Sequence, residues 1–344
     1  MQKSELNGKR ILVTFLMYLG DLLLTTPFIY ALRQNCPDSH ITMLVDEKLK
    51  DVVAHNPYLD AVITIDKKGR DDSKLALVRF AQKLSAQNFD AVINLHPNER
   101  CSFIVALTTT KQRLGAAHGL LKWRWDSYTP LNRHIHAVDM YLDVLKQLGM
   151  TQLVNNGLEF FTDAEADAQA SEFWRAHSVN EQDKLIGFNI GSAVVTKRWA
   201  PERFAQVAEA LAAEGYKIVF FGGSMDAQMV AEATQYMKSN PIVATGEFSL
   251  GALAAAMRRC ELIITNDSGP MHVAISQRVP IVALYGPSHV ELYGPYTKHA
   301  TVVTAEPPCL GCAERMKHQC ADLQCMTRLQ PEQVLRAAKK MLKQ

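Results

Sequence analysis

Glu261-Leu262-Ile263-Ile264-Thr265-Asn266-Asp267-Ser268-Gly269-Pro270-Met271-His272-Val273-Ala274-Ile275-Ser276 is the stretch that decides the fold. An apolar run enters a polar turn, and a second apolar run opens with Gly-Pro, which reads as strand, tight turn and helix. In a parallel α/β sheet such a turn lies at the strand's carboxyl end, where ligands bind. Backbone N–H groups of Ser268 and Gly269 at a helix start would stabilise a phosphate. Asp267 adds an acceptor and His272 a donor for a sugar or phosphate oxygen. The competing reading of Asp267 is an ordinary helix N-cap before a Pro-Met start.

The same alternation extends in both directions. Strands are expected at 184–189, 217–221, 242–245, 262–265 and 281–285, with helices at 201–214, 227–238, 250–260 and 332–342. An earlier series places strands at 10–15, 40–45, 61–65 and 91–95, with helical apolar spacing at 22–33, 75–86 and 139–148. Residues 151–161, punctuated by Asn155-Asn156-Gly157, read as a linker. The expectation is an α/β chain of two Rossmann-like, doubly wound domains (1–155 and 156–330) facing a central cleft, then a C-terminal helix at 331–344.

Composition narrows the class. With 344 residues, 48% of them hydrophobic and 21% charged, the chain can bury two ordinary cores. A net charge of +2 gives no general signal for nucleic acid, and none is expected as a partner. Lys9-Arg10 ahead of an apolar run imitates a signal peptide, but Gly20-Asp21 interrupts the run and no small-x-small cleavage site follows. No run reaches the ~18 apolar residues that span a bilayer. Seven cysteines in a chain this long do not make a secreted disulfide scaffold. The expected compartment is the cytoplasm.

Other turns carry candidate chemistry. Gly20-Asp21 follows the first strand, and Asp21 is either a helix N-cap or a general base that deprotonates an attacking hydroxyl. After the strand ending at Asn189, the run Gly191-Ser192-Ala193-Val194-Val195-Thr196-Lys197-Arg198-Trp199 offers small residues, hydroxyls and a cation that neutralises phosphate charge. Phe221-Gly222-Gly223-Ser224, Thr245-Gly246-Glu247-Phe248-Ser249 and Tyr285-Gly286-Pro287-Ser288 end further strands. Together they form an edge of glycine, serine and backbone amides suited to a nucleotide diphosphate. There is no G-x-G-x-x-G fingerprint.

Gly20-Asp21 with Thr25-Thr26-Pro27, Lys197-Arg198-Trp199, Asp267-Ser268-Gly269-Pro270-Met271-His272 and Tyr285-Gly286-Pro287 resemble, in order and spacing, the ADP-heptose-dependent lipopolysaccharide heptosyltransferases of glycosyltransferase family nine. The resemblance spans nearly the whole chain. It implies a GT-B fold, with the donor nucleotide in the C-terminal domain and the acceptor in the N-terminal one. It also implies an inverting transfer from ADP-L-glycero-D-manno-heptose to the inner core that needs no metal. On it, Asp21 matches the catalytic base and Lys197 the lysine on the donor phosphates. Asp267, Ser268, Gly269 and His272 match the donor loop, Ser192 and Thr196 the hydroxyls near it, and Asp226 the acid for the adenosine ribose. Phe248 stands either over adenine or in the core.

The acceptor side is read from charge. Lys111, Arg113, Lys122, Arg124 and Arg133 crowd a segment whose only acid is Asp126, with Trp123 and Trp125 among them. Such a segment suits an anionic acceptor such as a lipid A-linked core oligosaccharide, or peripheral contact with the cytoplasmic face of the inner membrane; the alternative is a solvated basic face. His96 and Arg100 follow a strand end and are the better-placed acceptor contacts, with Arg113 and Arg124 as further ones. Cys309, Cys312, Cys320 and Cys325 are spaced as a candidate structural zinc site, against reduced thiols or a redox-labile pair. The rival functions are a GT-B transferase or epimerase using another nucleotide sugar, and a non-catalytic nucleotide-sugar binder.

Overall fold

The computed structural model describes residues 5–305, 312, 320 and 323–343. The chain divides into two compact units, Met1–Phe161 and Thr162–Gln344. Strands β1 (Arg10–Thr14), β2 (His40–Asp46), β3 (Ala61–Ile65), β4 (Ala91–Asn94), β5 (Gln112–Gly115) and β6 (Ser127–Tyr128) form the first sheet. Its order is β3-β2-β1-β4-β5-β6. The second sheet uses β7 (Leu185–Asn189), β8 (Lys217–Gly222), β9 (Ile242–Thr245), β10 (Leu262–Asn266), β11 (Ile281–Tyr285) and β12 (Ala300–Thr304). Its order is β12-β11-β10-β7-β8-β9, the same doubly wound arrangement. All these pairings are parallel. Helices cover both faces of such sheets, which is why β1, β2, β7, β10 and β11 are almost wholly buried and read as unbroken apolar runs.

Three strands were not expected from the pattern. β5 carries Gln112 and Arg113, β6 has two residues, and β12 lies at a sheet edge, so none shows a buried apolar run. The helix expected at 22–33 is two, Leu19–Leu23 and Thr26–Asn35. Pro27 has no N–H for the carbonyl four residues back, so the chain restarts with proline in the first turn. Residues 156–161 pack on the first unit: the Glu159 N–H donates to Thr26 Oγ1 at 3.0 Å, and Phe161 meets Tyr58 edge-on. The last helix, Pro331–Met341, buries Val334 and Ala338 in the core of the second unit, beside Trp199, whose indole donates to the Leu329 carbonyl. Among the described residues no helix is long and apolar enough to cross a membrane.

Each sheet has one place where neighbouring strands send their chains to opposite faces: between β1 and β4, and between β7 and β10. The crevice beyond the carboxyl ends at such a switch point is where doubly wound folds bind ligands. Buried asparagines end three of these four strands. Asn94 accepts from the Thr14 hydroxyl at 2.8 Å and donates to the Ala116 carbonyl at 2.7 Å. Asn266 donates to the Ile190 carbonyl at 2.7 Å and accepts from the Trp199 N–H at 3.2 Å. Asn189 donates to the Ser268 and Thr265 hydroxyls at 2.9 and 3.2 Å. Asn94 and Asn266 thereby satisfy backbone groups that the ladder no longer reaches.

Asn266→Ala strands two buried backbone groups and should lower the stability of the second unit by roughly 2–4 kcal/mol. Urea unfolding would measure it; an unchanged midpoint would show that water replaces the side chain.

Candidate active site

At the second switch point, the loop after β7 turns once as a 3-10 helix, Val195–Lys197, and delivers Lys197 to the start of the helix Gly269–Ser276. The Lys197 ammonium lies 2.6 Å from Asp267 Oδ2, and the two side chains are 19% and 8% exposed. Asp267 is therefore an ion-pair partner. The N-cap is Ser268, with no side-chain cap bond, so the N-cap reading of Asp267 is corrected. Behind Asp267, burial and then the negative charge of that carboxylate raise the Tyr285 phenol well above its ordinary pKa. The phenol donates to the Tyr293 carbonyl at 2.8 Å.

Ser192 accepts from the Val194 N–H at 3.3 Å, and its hydroxyl reaches the Asp267 carbonyl at 3.5 Å. The Thr196 hydroxyl is buried without a protein partner among the described residues, beside the lysine. His272 is 4% exposed, one turn into the helix. Ser192, Thr196, Lys197, Asp267, Ser268, Gly269 and His272 thus gather at one switch point.

Asp226 stands at the neighbouring glycine turn. Its Oδ2 accepts from the Gly223 N–H at 2.9 Å, and its carboxylate fills the space where a Cβ on Gly191 would lie. Met225 beside it is 84% exposed, an apolar surface at this edge that the sequence reading passed over. Phe248 is half-buried, its ring 4.7 Å from that of Phe173 and 6.4 Å from that of Phe221. It belongs to an aromatic cluster and keeps part of its surface open.

At the first switch point, Asp21 lies in the first turn of Leu19–Leu23, whose N-cap is Tyr18, so here too the N-cap reading gives way. A carboxylate in a first turn still gains from the helix dipole. The loop before it is held by Lys67, which no spacing in the sequence singles out. Its ammonium pairs with Asp46 at 2.9 Å and donates to the Leu16 and Met17 carbonyls at 3.1 and 3.4 Å.

His96 follows β4 and meets Phe15 edge-on. Its Nδ1 is buried without a protein partner among the described residues. Burial, and then the positive charge of Arg133, lower its pKa from 6.5 to about 4. The imidazole is therefore neutral at neutral pH. Arg100 turns toward the loop after β3, pairing with Asp72 at 2.6 Å and donating to the Asp71 carbonyl at 3.2 Å.

Arg113 and Arg124, expected at the acceptor, are both tied to backbone carbonyls. Arg113 donates to the carbonyls of Val105 and Thr108, and Arg124 to that of Ala106. Both guanidinium groups clamp the carboxyl end of the helix Glu99–Leu107, where cations meet unpaired carbonyls. That helix begins just past the carboxyl end of β4 and runs back, so its end lies at the opposite edge of the sheet from Asp21.

Cys309 lies outside the described residues. Cys325 is buried in the short helix Gln324–Thr327, against Gly286. Among the described residues no three His, Cys, Asp or Glu side chains group as metal ligands. Cys36, Cys101 and Cys260 are buried and serve packing.

Two doubly wound units, each a parallel sheet with one switch point, define a GT-B-like architecture. The profile of glycosyltransferase family 9 (heptosyltransferase) matches residues 77–321. A crystal structure of a family 9 glycosyl transferase from Veillonella parvula is 49% identical, covers 99% of both chains and superposes with a TM-score of 0.94. Lipopolysaccharide heptosyltransferase 3 of Escherichia coli K12 is 27% identical over 82% of this chain and 84% of its own. The structure of Escherichia coli ADP-heptose LPS heptosyltransferase II shares the fold at a TM-score of 0.79, with 21% identity over 97% and 98% of the two chains. The chain belongs to glycosyltransferase family 9, the heptosyltransferase family, and is an enzyme of that class.

Because the folded His96 titrates near 4 and an unfolded histidine near 6.5, only the unfolded chain binds this proton between those values. Stability should therefore fall as pH drops from 6.5 toward 4. His96→Gln should flatten that part of a melting-temperature profile; an unchanged slope would remove His96 as its source.

Proposed function

We propose that this enzyme moves a heptose from ADP-L-glycero-D-manno-heptose to the inner core of a lipid A-linked acceptor, with inversion, at the cytoplasmic face of the inner membrane. The observation that carries the reading is the Lys197–Asp267 pair at the start of a helix whose N-cap, Ser268, makes no side-chain cap bond. A diphosphate fits that place. Lys197 and the amides at Ser268 and Gly269 would meet its oxygens, and the buried Thr196 hydroxyl gains the partner it lacks. Asp226 takes the ribose hydroxyls, Phe248 and Met225 flank the base, and Ser192 and His272 bond the phosphates or the sugar.

Asp21 acts in the other unit. An acceptor hydroxyl attacks the anomeric carbon while Asp21 takes its proton. The new C–O bond forms as the bond to the diphosphate oxygen breaks on the opposite face, so the configuration inverts. The electron pair leaves with ADP, and Lys197 and the helix amides stabilise that charge without a metal. His96, neutral, and Arg100 contact the acceptor.

Asp21→Asn keeps the side chain's size and should leave ADP binding nearly unchanged, since the proposed donor contacts all belong to the second unit. Turnover should fall about a hundredfold or more; near-normal turnover would remove Asp21 from the reaction.

Lys197→Ala should weaken ADP binding about tenfold to a hundredfold, because it deletes a charge-assisted contact and exposes the diphosphate to an unpaired Asp267. Lys197→Ala with Asp267→Asn should recover part of that loss by removing the repulsion. Calorimetry on the four proteins of this cycle tests it; strictly additive effects would show that the two residues act independently.

A further inference from the structure

The segment Gly119–Arg124, Gly-Leu-Leu-Lys-Trp-Arg, is a 3-10 turn between β5 and β6. Its residues divide into two sets. Leu121 packs against the core of the first unit. Trp125, just past the turn, is buried with its indole N–H on the Leu114 carbonyl at 3.2 Å, and Arg124 is tied to the Ala106 carbonyl at 2.9 Å. These three anchors pin the backbone. Leu120 and Trp123 project the other way, 92% and 75% exposed.

A lone exposed leucine needs no explanation. Two large apolar side chains on one six-residue turn, held outward by a fixed backbone, are a different matter. Cations flank them: the Arg124 guanidinium lies 5.2 Å from the Trp123 ring centre, and the Lys122 ammonium 4.6 Å from that of Tyr128. Next to the turn, beyond the ends of β5 and β6, opens a cavity of about 260 Å³. His118, Lys122, Tyr128 and Arg133 line it, and no acidic side chain does. An amphipathic ring beside an apolar tip, with ammonium and guanidinium groups around both, is the chemistry of a lipid–water boundary carrying negative charge.

We propose that this turn is the membrane-docking surface of the protein. Leu120 and Trp123 enter an anionic lipid layer, Lys122 and Arg133 meet its headgroups, and the cavity takes the anionic head of the lipid-linked acceptor. The last part rests on the transfer reaction proposed above; the docking does not.

The chain has four tryptophans. Trp125, Trp174 and Trp199 are at most 8% exposed, so a solvent-sensitive change in fluorescence reports on Trp123. Phosphatidylcholine vesicles containing phosphatidylglycerol should shift the emission to the blue and sediment the protein, increasingly less as salt is raised. Vesicles of phosphatidylcholine alone should do so weakly. Leu120→Ser with Trp123→Ser, at exposed positions that leave the melting temperature unchanged, should reduce sedimentation with anionic vesicles about tenfold or more. The same variant should raise KM for a vesicle-borne acceptor and leave the deacylated acceptor's unaffected. An unshifted emission, equal sedimentation of variant and wild type, or a blue shift that grows with protein concentration without vesicles, the sign of a second copy on this face, would each overturn the proposal. Vesicle binding by a protein that turns over neither acceptor would uphold the docking and sink the transfer reading instead.

Discussion

Side-chain amides close the carboxyl ends of the central strands, and the sites depend on that closure. At a switch point the chains leaving two adjacent strands part to opposite faces, so the ladder ends while both backbones remain buried. A backbone group without a partner there would cost more than most single contacts contribute. Asn266 bridges the gap by donating to the loop after β7 and accepting from Trp199 further along it. The loop that carries Ser192, Thr196 and Lys197 is therefore fastened on both sides of those residues. Asn94 makes the corresponding closure in the first unit, tying the end of β1 to the chain leaving β5.

Electrostatics follow the same plan in both units. Lys67 pairs with Asp46 at the end of β2, and Lys197 pairs with Asp267 just past the end of β10. The two pairs differ in what else the ammonium does. Lys67 also donates to the carbonyls of Leu16 and Met17, which makes it a brace under the loop leading to Asp21. Beside Lys197 lie the buried Thr196 hydroxyl and the start of a helix. An anion bound there, as proposed, would meet a lysine already aimed by its partner, so little side-chain freedom would remain to be lost.

The elements legible in the sequence were those whose burial leaves a periodic trace. β7, β10 and β11 are continuous apolar runs, and the turn after β10 announced itself by its Asp-Ser-Gly-Pro. What escaped reading depends on reach across the fold. Arg113 and Arg124 look like a charged face in one dimension, and only the fold shows that they close over the end of the helix Glu99–Leu107. Lys67 lies about fifty residues from the carbonyls it holds, with no spacing rule to connect them. Asp21 and Asp267 suit an N-cap by residue type, yet the cap positions belong to Tyr18 and Ser268. Short polar edge strands such as β5 and β6 have no apolar face to betray them.

Gly191 and Asp226 illustrate how such a site constrains its own descent. The carboxylate of Asp226 occupies the volume that any side chain at 191 would need, although 35 positions separate the two. Neither residue can drift alone. A side chain gained at 191 evicts the acid, and a smaller residue at 226 leaves a void over the glycine. The two positions are coupled through that shared volume, so what one holds sets what the other can accept.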